Sequence, residues 1–139
     1  MSDIGMILDR VGRKLVTEVA PKLGADYAAG HTVMTGLMGI MAGEAWDGAA
    51  DRLMNEISGL RGLLAAGDVE VNEVAAAGSF KLAALTTERD GLATKLIAMQ
   101  AALEARDDEA AKDLNAQIWM YLMQTAVARM PNPPMVPDA

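Results

Sequence analysis

The chain has 139 residues, of which 19 are acidic and 12 are basic. Its formal net charge of −7 argues against nucleic acid as a partner, because that binding depends on clustered lysine and arginine. Hydrophobic residues make up 52% of the sequence and aromatic residues only 4%, which favours helices over strands, and the absence of cysteine excludes disulfides and Cys-based catalytic or zinc sites.

The first predicted helix spans residues 4–20. Its apolar side chains recur at intervals of three and four residues, with charged residues between them, which is the pattern of one amphipathic helix. Ser2 is the predicted N-cap, and Pro21 and Gly24 mark the exit. The same segment lacks the basic-then-apolar order of a secretory signal, so we expect no export and a cytoplasmic protein.

The second predicted helix begins near Asp26 and extends to Ala66, either as one continuous helix or with a kink at Gly43 and Gly48 around Trp46. Its first half, residues 27–43, contains no Asp, Glu, Lys or Arg, and its second face is apolar as well. A helix that is apolar on all sides has to be covered on all sides. We therefore expect a second surface to pack against this segment.

Two further helices are predicted in the remaining chain. Gly67 and Asp68 are expected to close one helix and cap the next, Asp107 or Asp108 caps the last helix, and that helix runs to Met130. The predicted fold class is all-α, an antiparallel bundle of about four main helices joined by short loops. The predicted domain covers residues 1–130, and a Pro-rich tail covers residues 131–139.

No catalytic constellation is visible in the sequence. The single histidine, His31, has Ala28 three residues before it, which excludes the Glu-x-x-His pairs of di-iron bundles. The three serines lack a base oriented by a third group, and neither a GxxxxGK loop nor a GxGxxG motif occurs. We predict no catalytic residue, no metal and no cofactor.

A stripe around His31 supplies the candidate ligand-binding residues. On a helix these side chains share one face, and they are Tyr27, His31, Met34, Met38 and Met41. Imidazole and thioether groups suit a soft ion such as Cu(I), but methionine at helical spacing is ordinary core filler, which is the interpretation we prefer. A third interpretation makes His31 the polar tip of an otherwise apolar ligand cavity.

Glycines on the same helix suggest close helix packing. Gly36, Gly39 and Gly43 form a row within the uncharged run, which is too short and too diluted by Gly and Thr for us to expect membrane insertion. The uncovered second face of this helix predicts a homodimer, and the glycine row would permit close approach across its twofold axis. The candidate interface residues are Val33, Leu37 and Ile40.

Three segments of the chain resemble a family of small, uncharacterised, all-helical bacterial proteins. These segments are Val11–Leu23 (VGRKLVTEVAPKL), the long Ala/Leu-rich second helix, and Trp119–Pro133 (WMYLMQTAVARMPNP). Members of that family tend to be encoded beside acyl-CoA dehydrogenases and aminoglycoside-phosphotransferase-like kinases. The resemblance implies a helical fold and an accessory role in acyl-CoA metabolism. It transfers no site, because Gly30, Thr32 and Gly36 stand here where the family has polar residues.

Three classes of function stay open at this point. The leading hypothesis is a non-catalytic accessory or interaction protein, because the chain offers apolar helix faces and an acidic surface without a catalytic constellation. The seven acids from Glu44 to Glu73 form either a solvated face or a docking face for a basic partner. The alternative is a bundle that binds a small apolar ligand, such as an acyl chain, and an unrecognised enzyme is third. A cleft lined by Met34, Met38 and Met41 would favour the ligand.

Overall fold

The computed structural model describes residues 2–132, and within that range every regular element is a helix. The all-α prediction is therefore confirmed, with five α-helices where about four were expected. They are α1 (Asp3–Lys14), α2 (Tyr27–Asp47), α3 (Ala49–Ala66), α4 (Leu82–Glu104) and α5 (Glu109–Ala128). The predicted Pro-rich tail lies outside the described residues from position 133 onward. No helix in the described range is long and apolar enough to cross a bilayer.

The chain divides into two compact units. Of the described residues, the first contains residues 2–49 and 130–132, and the second contains Ala50–Arg129. The extra helix arises at this division, since Gly48 separates α2 from α3 where the sequence left a continuous and a kinked helix open. The prediction of one domain over residues 1–130 stays a prediction.

Helix α1 begins where the sequence predicts, and it is followed by one π-helical turn and one 3₁₀ turn. The Ser2 hydroxyl accepts a hydrogen bond of 3.2 Å from the backbone N–H of Gly5, which confirms the predicted N-cap. A π-helical turn at Leu15–Val19 and a 3₁₀ turn at Ala20–Leu23 follow. Pro21 lies in that last turn, and Gly24 ends it with a φ of 70°, a conformation that favours glycine.

Helices α1 and α2 form an antiparallel hairpin in which the backbones touch. Gly12 lies against Gly36 and Ile40, while Gly43 lies against Gly5 at the other end of the contact. A Cβ atom at Gly36 would come within 2.6 Å of the Gly12 carbonyl oxygen, and one at Gly43 within 2.7 Å of the Gly5 carbonyl oxygen. The glycine row predicted to serve a dimer axis therefore packs within the chain.

The second unit is built around one apolar core contributed by α3, α4 and α5. Leu64, Leu92 and Ile118 are its largest fully buried side chains. The Asp108 carboxylate accepts a hydrogen bond of 3.0 Å from the backbone N–H of Ala111, which confirms one of the two predicted caps of the last helix. Helices α4 and α5 are antiparallel neighbours, joined near this cap by a short loop.

The connection between α3 and α4 departs from the predicted bundle of antiparallel neighbours with short loops. The helix that was predicted to begin after Asp68 begins only at Leu82, and residues 67–81 contain no helix. Asp68 does not cap the next helix but adopts a left-handed conformation after α3, with a φ of 55°. The Val74 side chain lies near Gly91, and the Ala77 N–H binds Glu88, so the connection returns along α4. As a result, α3 and α4 run in the same direction.

We expect one substitution to have opposite effects at two glycines of α2. Gly36→Ala places a methyl group against the α1 backbone, which cannot yield without separating the helices, so it should lower the free energy of unfolding by about 1–3 kcal/mol. Gly30→Ala meets no atom within 4 Å and should raise it by about 0.5–1 kcal/mol, because alanine favours the helix. Urea denaturation monitored by circular dichroism measures both values. Equal effects at the two positions would contradict the close approach.

Candidate interaction surfaces and ligand cavities

The candidate ligand-binding residues of α2 form an exposed row. Gly36 and Gly43 face α1, and the helical period places the row on the side of α2 away from that contact. Tyr27 is 80% exposed, Met34 59% and Met38 65%. The Tyr27 and His31 rings lie edge to face with their centroids 4.2 Å apart, and Met41 is half-buried. We call this row of five side chains, Tyr27, His31, Met34, Met38 and Met41, the outer face of α2.

The candidate interface residues have a different environment from the one predicted. Ile40 is only 7% exposed, because it packs against Gly12 of α1 within the same chain. Val33 and Leu37 are half-buried. Most of the apolar surface that α2 offers to a partner therefore belongs to Met34, Met38 and Tyr27. Across residues 2–132 no group of three or more His, Asp or Glu side chains is arranged to hold a metal ion.

A second apolar stripe lies on α5 and was not singled out from the sequence. Four large side chains on this helix are between 55% and 63% exposed: Trp119, Met120, Met123 and Val127. The signal was present, because residues 114–128 contain no charged side chain, as in the uncharged run of α2. Ile118 lies on the opposite side of α5 and is fully buried in the core. Each unit therefore exposes an apolar helix face.

The second unit also contains several cavities. A cleft of about 440 Å³ lies between α3, the start of α4 and the connecting segment, and Met54, Ile57, Arg61, Phe80 and Leu85 are among its lining residues. A groove between α3 and α5 is lined in part by Gly59, Gly62 and Met120. A smaller cavity of about 210 Å³ lies between α3, α4 and α5, with Leu60, Arg89 and Arg129 in its wall. None of the candidate residues of α2 lines these three spaces.

Glu56 forms a buried ion pair beside the smallest of these cavities. Its carboxylate accepts hydrogen bonds from Arg129 Nε at 2.8 Å and Arg129 Nη2 at 2.6 Å, although Glu56 is only 7% exposed. Arg89 Nη1 lies 3.9 Å from the same carboxylate. The hydrogen bond to Glu56 raises the pKa of the Arg129 guanidinium, so Arg129 stays charged.

Tyr121 anchors α5 to the same turn of α3. Its hydroxyl donates a hydrogen bond of 3.0 Å to the backbone carbonyl of Glu56, and its ring lies against Gly59. Burial of the phenol raises the pKa of Tyr121 to about 12, and the negative charge of Glu56 contributes in the same direction. Only glycine at position 59 leaves room for the ring, since a Cβ there would approach Tyr121 Cε2 within 2.6 Å.

A second buried carboxylate, Glu88, secures the connecting segment. It accepts a hydrogen bond of 2.7 Å from the Ala77 N–H and two from the Arg61 guanidinium. Burial acts to raise the pKa of Glu88, but these hydrogen bonds and the charge of Arg61 outweigh it, and the pKa is lowered. Glu88 therefore stays ionised and holds the connection to α3 and α4.

The sequence carried a signal for both buried acids, although it was not used. Glu88 stands between Leu85 and Leu92 in the apolar series of α4, and Glu56 lies beside Ile57 and four residues before Leu60 in α3. An acid at an apolar position of a helix needs a buried partner. Only the tertiary structure shows which arginine is the partner of each acid.

Comparisons of the chain with protein-family models, with curated proteins and with solved structures give no match. Function is therefore inferred from the geometry of residues 2–132.

Removing one partner of the buried Glu56–Arg129 pair should lower the free energy of unfolding more than removing both partners does. Arg129→Met leaves the Glu56 carboxylate buried without its main partner and should lower the free energy of unfolding by about 3 kcal/mol. In the double variant Glu56→Leu with Arg129→Met, no such charge remains, so we expect a smaller loss. Denaturant titration gives both values.

The matched control for this comparison is Arg106→Met. Arg106 has similar exposure to Arg129, but its partner Asp108 is about half exposed, so the loss should stay below about 1 kcal/mol. If the double variant were less stable than Arg129→Met alone, the pair itself would be a net source of stability and the reasoning above would be wrong.

The raised pKa of Tyr121 predicts a loss of stability in alkaline solution. Because the folded protein holds the phenolic proton more tightly than the unfolded chain, the contribution is complete below pH 10 and is lost as the pH rises towards 12. Tyr121→Phe keeps the ring and should show a smaller decline over this range. Denaturation curves at several pH values test this, and identical declines in both proteins would exclude Tyr121 as a cause.

Proposed function

We propose that the chain is a non-catalytic interaction protein that self-associates through the outer face of α2. The observation that carries this proposal is the exposure of Tyr27, Met34 and Met38 on a helix whose residues 27–43 carry no charge. Exposed large apolar side chains in a continuous row are characteristic of protein-binding surfaces. Methionine suits such a surface because its unbranched side chain adapts to different contours.

The energetics of the outer face favour association. Full burial of one large apolar side chain contributes roughly 1.5–3 kcal/mol, so three or four of them in each subunit can offset the entropy lost on binding. A twofold axis would bury the same residues of both copies, which doubles the contribution of each contact. The negative charge of the chain does not oppose contact locally, since no charged side chain lies between Tyr27 and Gly43.

Val33 and Leu37 retain a role at the edge of this interface. Both are half-buried and lie on the same helix as the outer face, so a partner seated on Met34 and Met38 would reach them. Ile40 is not part of the proposed contact, because the glycine contact with α1 already covers it. The interface we propose is therefore shifted around α2 relative to the one expected from the sequence.

The cellular part of the proposal rests on the sequence resemblance. It comprises a cytoplasmic location, an accessory role beside acyl-CoA metabolism and a further protein partner, and a helical interaction protein without a catalytic constellation is compatible with all three. Affinity capture from the native cell with mass spectrometry tests this part. Recovery of an acyl-CoA dehydrogenase with the wild-type protein is the expected result, and capture without one would contradict this part of the proposal.

Light scattering behind a sizing column tests self-association. We expect a mass of twice the 14.6 kDa chain at micromolar concentration, and Met38→Glu should shift it to the monomer because it places a charge in the apolar contact. Leu37→Arg at the edge should weaken the dimer less. A wild-type protein that runs as a monomer would mean that the outer face is not used for self-association.

The matched control is Met120→Glu, which makes the same change at a methionine of α5 with comparable exposure. We expect this variant to remain a dimer. If Met120→Glu dissociates the dimer and Met38→Glu does not, the interface lies on α5 and the proposal for α2 is wrong. Circular dichroism of both variants shows whether the helices remain intact.

A further inference from the structure

The outer face of α2 has the spacing of a seam between two helices. Its five residues stand at alternating intervals of four and three positions from Tyr27 to Met41. Two helices that pack along a continuous line use this spacing, because it keeps successive side chains on the facing side. His31 is the second residue of the row, between Tyr27 and Met34, and its side chain is exposed. A second α2 helix laid along the row would therefore cover His31.

His31 is the residue of the outer face that can acquire a charge near neutral pH. The chain has a single histidine, and histidine is the side chain whose charge ordinarily changes between about pH 8 and pH 5. The segment from residue 27 to residue 43 contains no Asp, Glu, Lys or Arg. A fall in pH through this range therefore places a positive charge on a row that is otherwise uncharged.

No acid of the same chain is positioned to neutralise that charge. Asp26 caps the start of α2, while Glu44 and Asp47 lie in its last turn, where they bind Asn132 and the backbone N–H of Ser2.

The elements packed against α2 supply no such acid either. Helix α1 and the two turns after it lie on the glycine side of α2, away from the outer face. Within residues 2–132 no carboxylate forms an ion pair with His31, whose ring lies edge to face with the uncharged ring of Tyr27.

A second copy of the chain supplies no acid to His31. In a twofold dimer the outer face packs on the outer face of the other copy. Whichever way the second helix runs, His31 then meets Tyr or Met side chains or the other His31, and none of these is acidic. A protonated imidazole in this contact would lose its water without gaining a partner, which disfavours the charged form.

We infer that protonation of His31 separates the α2 dimer, so that the chain self-associates at neutral pH and dissociates in mildly acidic solution. The inference rests on the proposed self-association and names its regulation. In separate chains the protonated ring is exposed to water, whereas in the dimer it is enclosed by uncharged side chains. The dimer therefore binds fewer protons than two free chains, and by linkage a lower pH favours the free chains.

Light scattering of a dilution series at about pH 7.5 and about pH 5.5 tests the inference, because histidine changes its charge between these values. The dissociation constant of the dimer should rise at least about tenfold at the lower pH. Circular dichroism at both pH values shows whether the helices remain intact. A dimer with equal constants at both values would overturn the role of His31 and leave self-association standing. A monomer at both values would contradict self-association itself, and the inference with it.

Two variants at position 31 assign the effect to the imidazole. His31→Gln stays polar but cannot be protonated, so it should form a dimer with the same constant at both pH values. His31→Lys carries a permanent charge and should be a monomer even at neutral pH. If the His31→Gln dimer separated in acid as readily as the wild type, another group would be responsible and the inference would be wrong.

The matched control is Met120→Lys, which adds the same charge at an exposed methionine of α5, outside the outer face of α2. This variant should keep both the dimer and its response to pH. If Met120→Lys separated the dimer as His31→Lys does, the total charge of the chain would be the cause, and the local role of His31 would be refuted.

Discussion

Backbone contact between α1 and α2 determines which side of α2 remains available. Gly12, Gly36 and Gly43 let the two helices approach until main-chain atoms touch, and any side chain at these positions would force the helices apart. Because α2 is apolar around most of its circumference, its hydrophobicity alone does not select a buried side. The glycines make that selection, and they leave Tyr27, Met34 and Met38 facing outward.

The second unit is organised by a different constraint, the pairing of buried carboxylates. Glu56 and Glu88 lie among apolar side chains of α3 and α4, where an unpaired charge would be costly. Arg129 brings the end of α5 to Glu56, and Arg61 with the Ala77 N–H brings the connecting segment to Glu88. These pairs specify how the helices align along their length, which an apolar core of Leu and Ala leaves less well determined.

The two units thus offer two kinds of surface. The outer face of α2 is an uncharged apolar row, which suits another protein, while the second unit contains a cavity whose wall has both apolar and charged residues. The candidate ligand residues of α2 belong to the first kind of surface. Side-chain chemistry alone did not distinguish the two uses, because Met and Tyr occur in ligand cavities as well as in interfaces.

The sequence by itself determined the helical class, the Ser2 cap, a cap at Asp107 or Asp108 and the exit at Gly24, because helical period and capping chemistry act over only a few neighbouring residues. It also indicated that α2 needs cover on more than one side. Only the tertiary structure decided which side α1 covers, that α3 and α4 run in the same direction, and that Glu56 meets Arg129, 73 positions further along the chain. A helix that is apolar on every side carries no directional signal, and ion pairs over such separations depend on how whole helices pack.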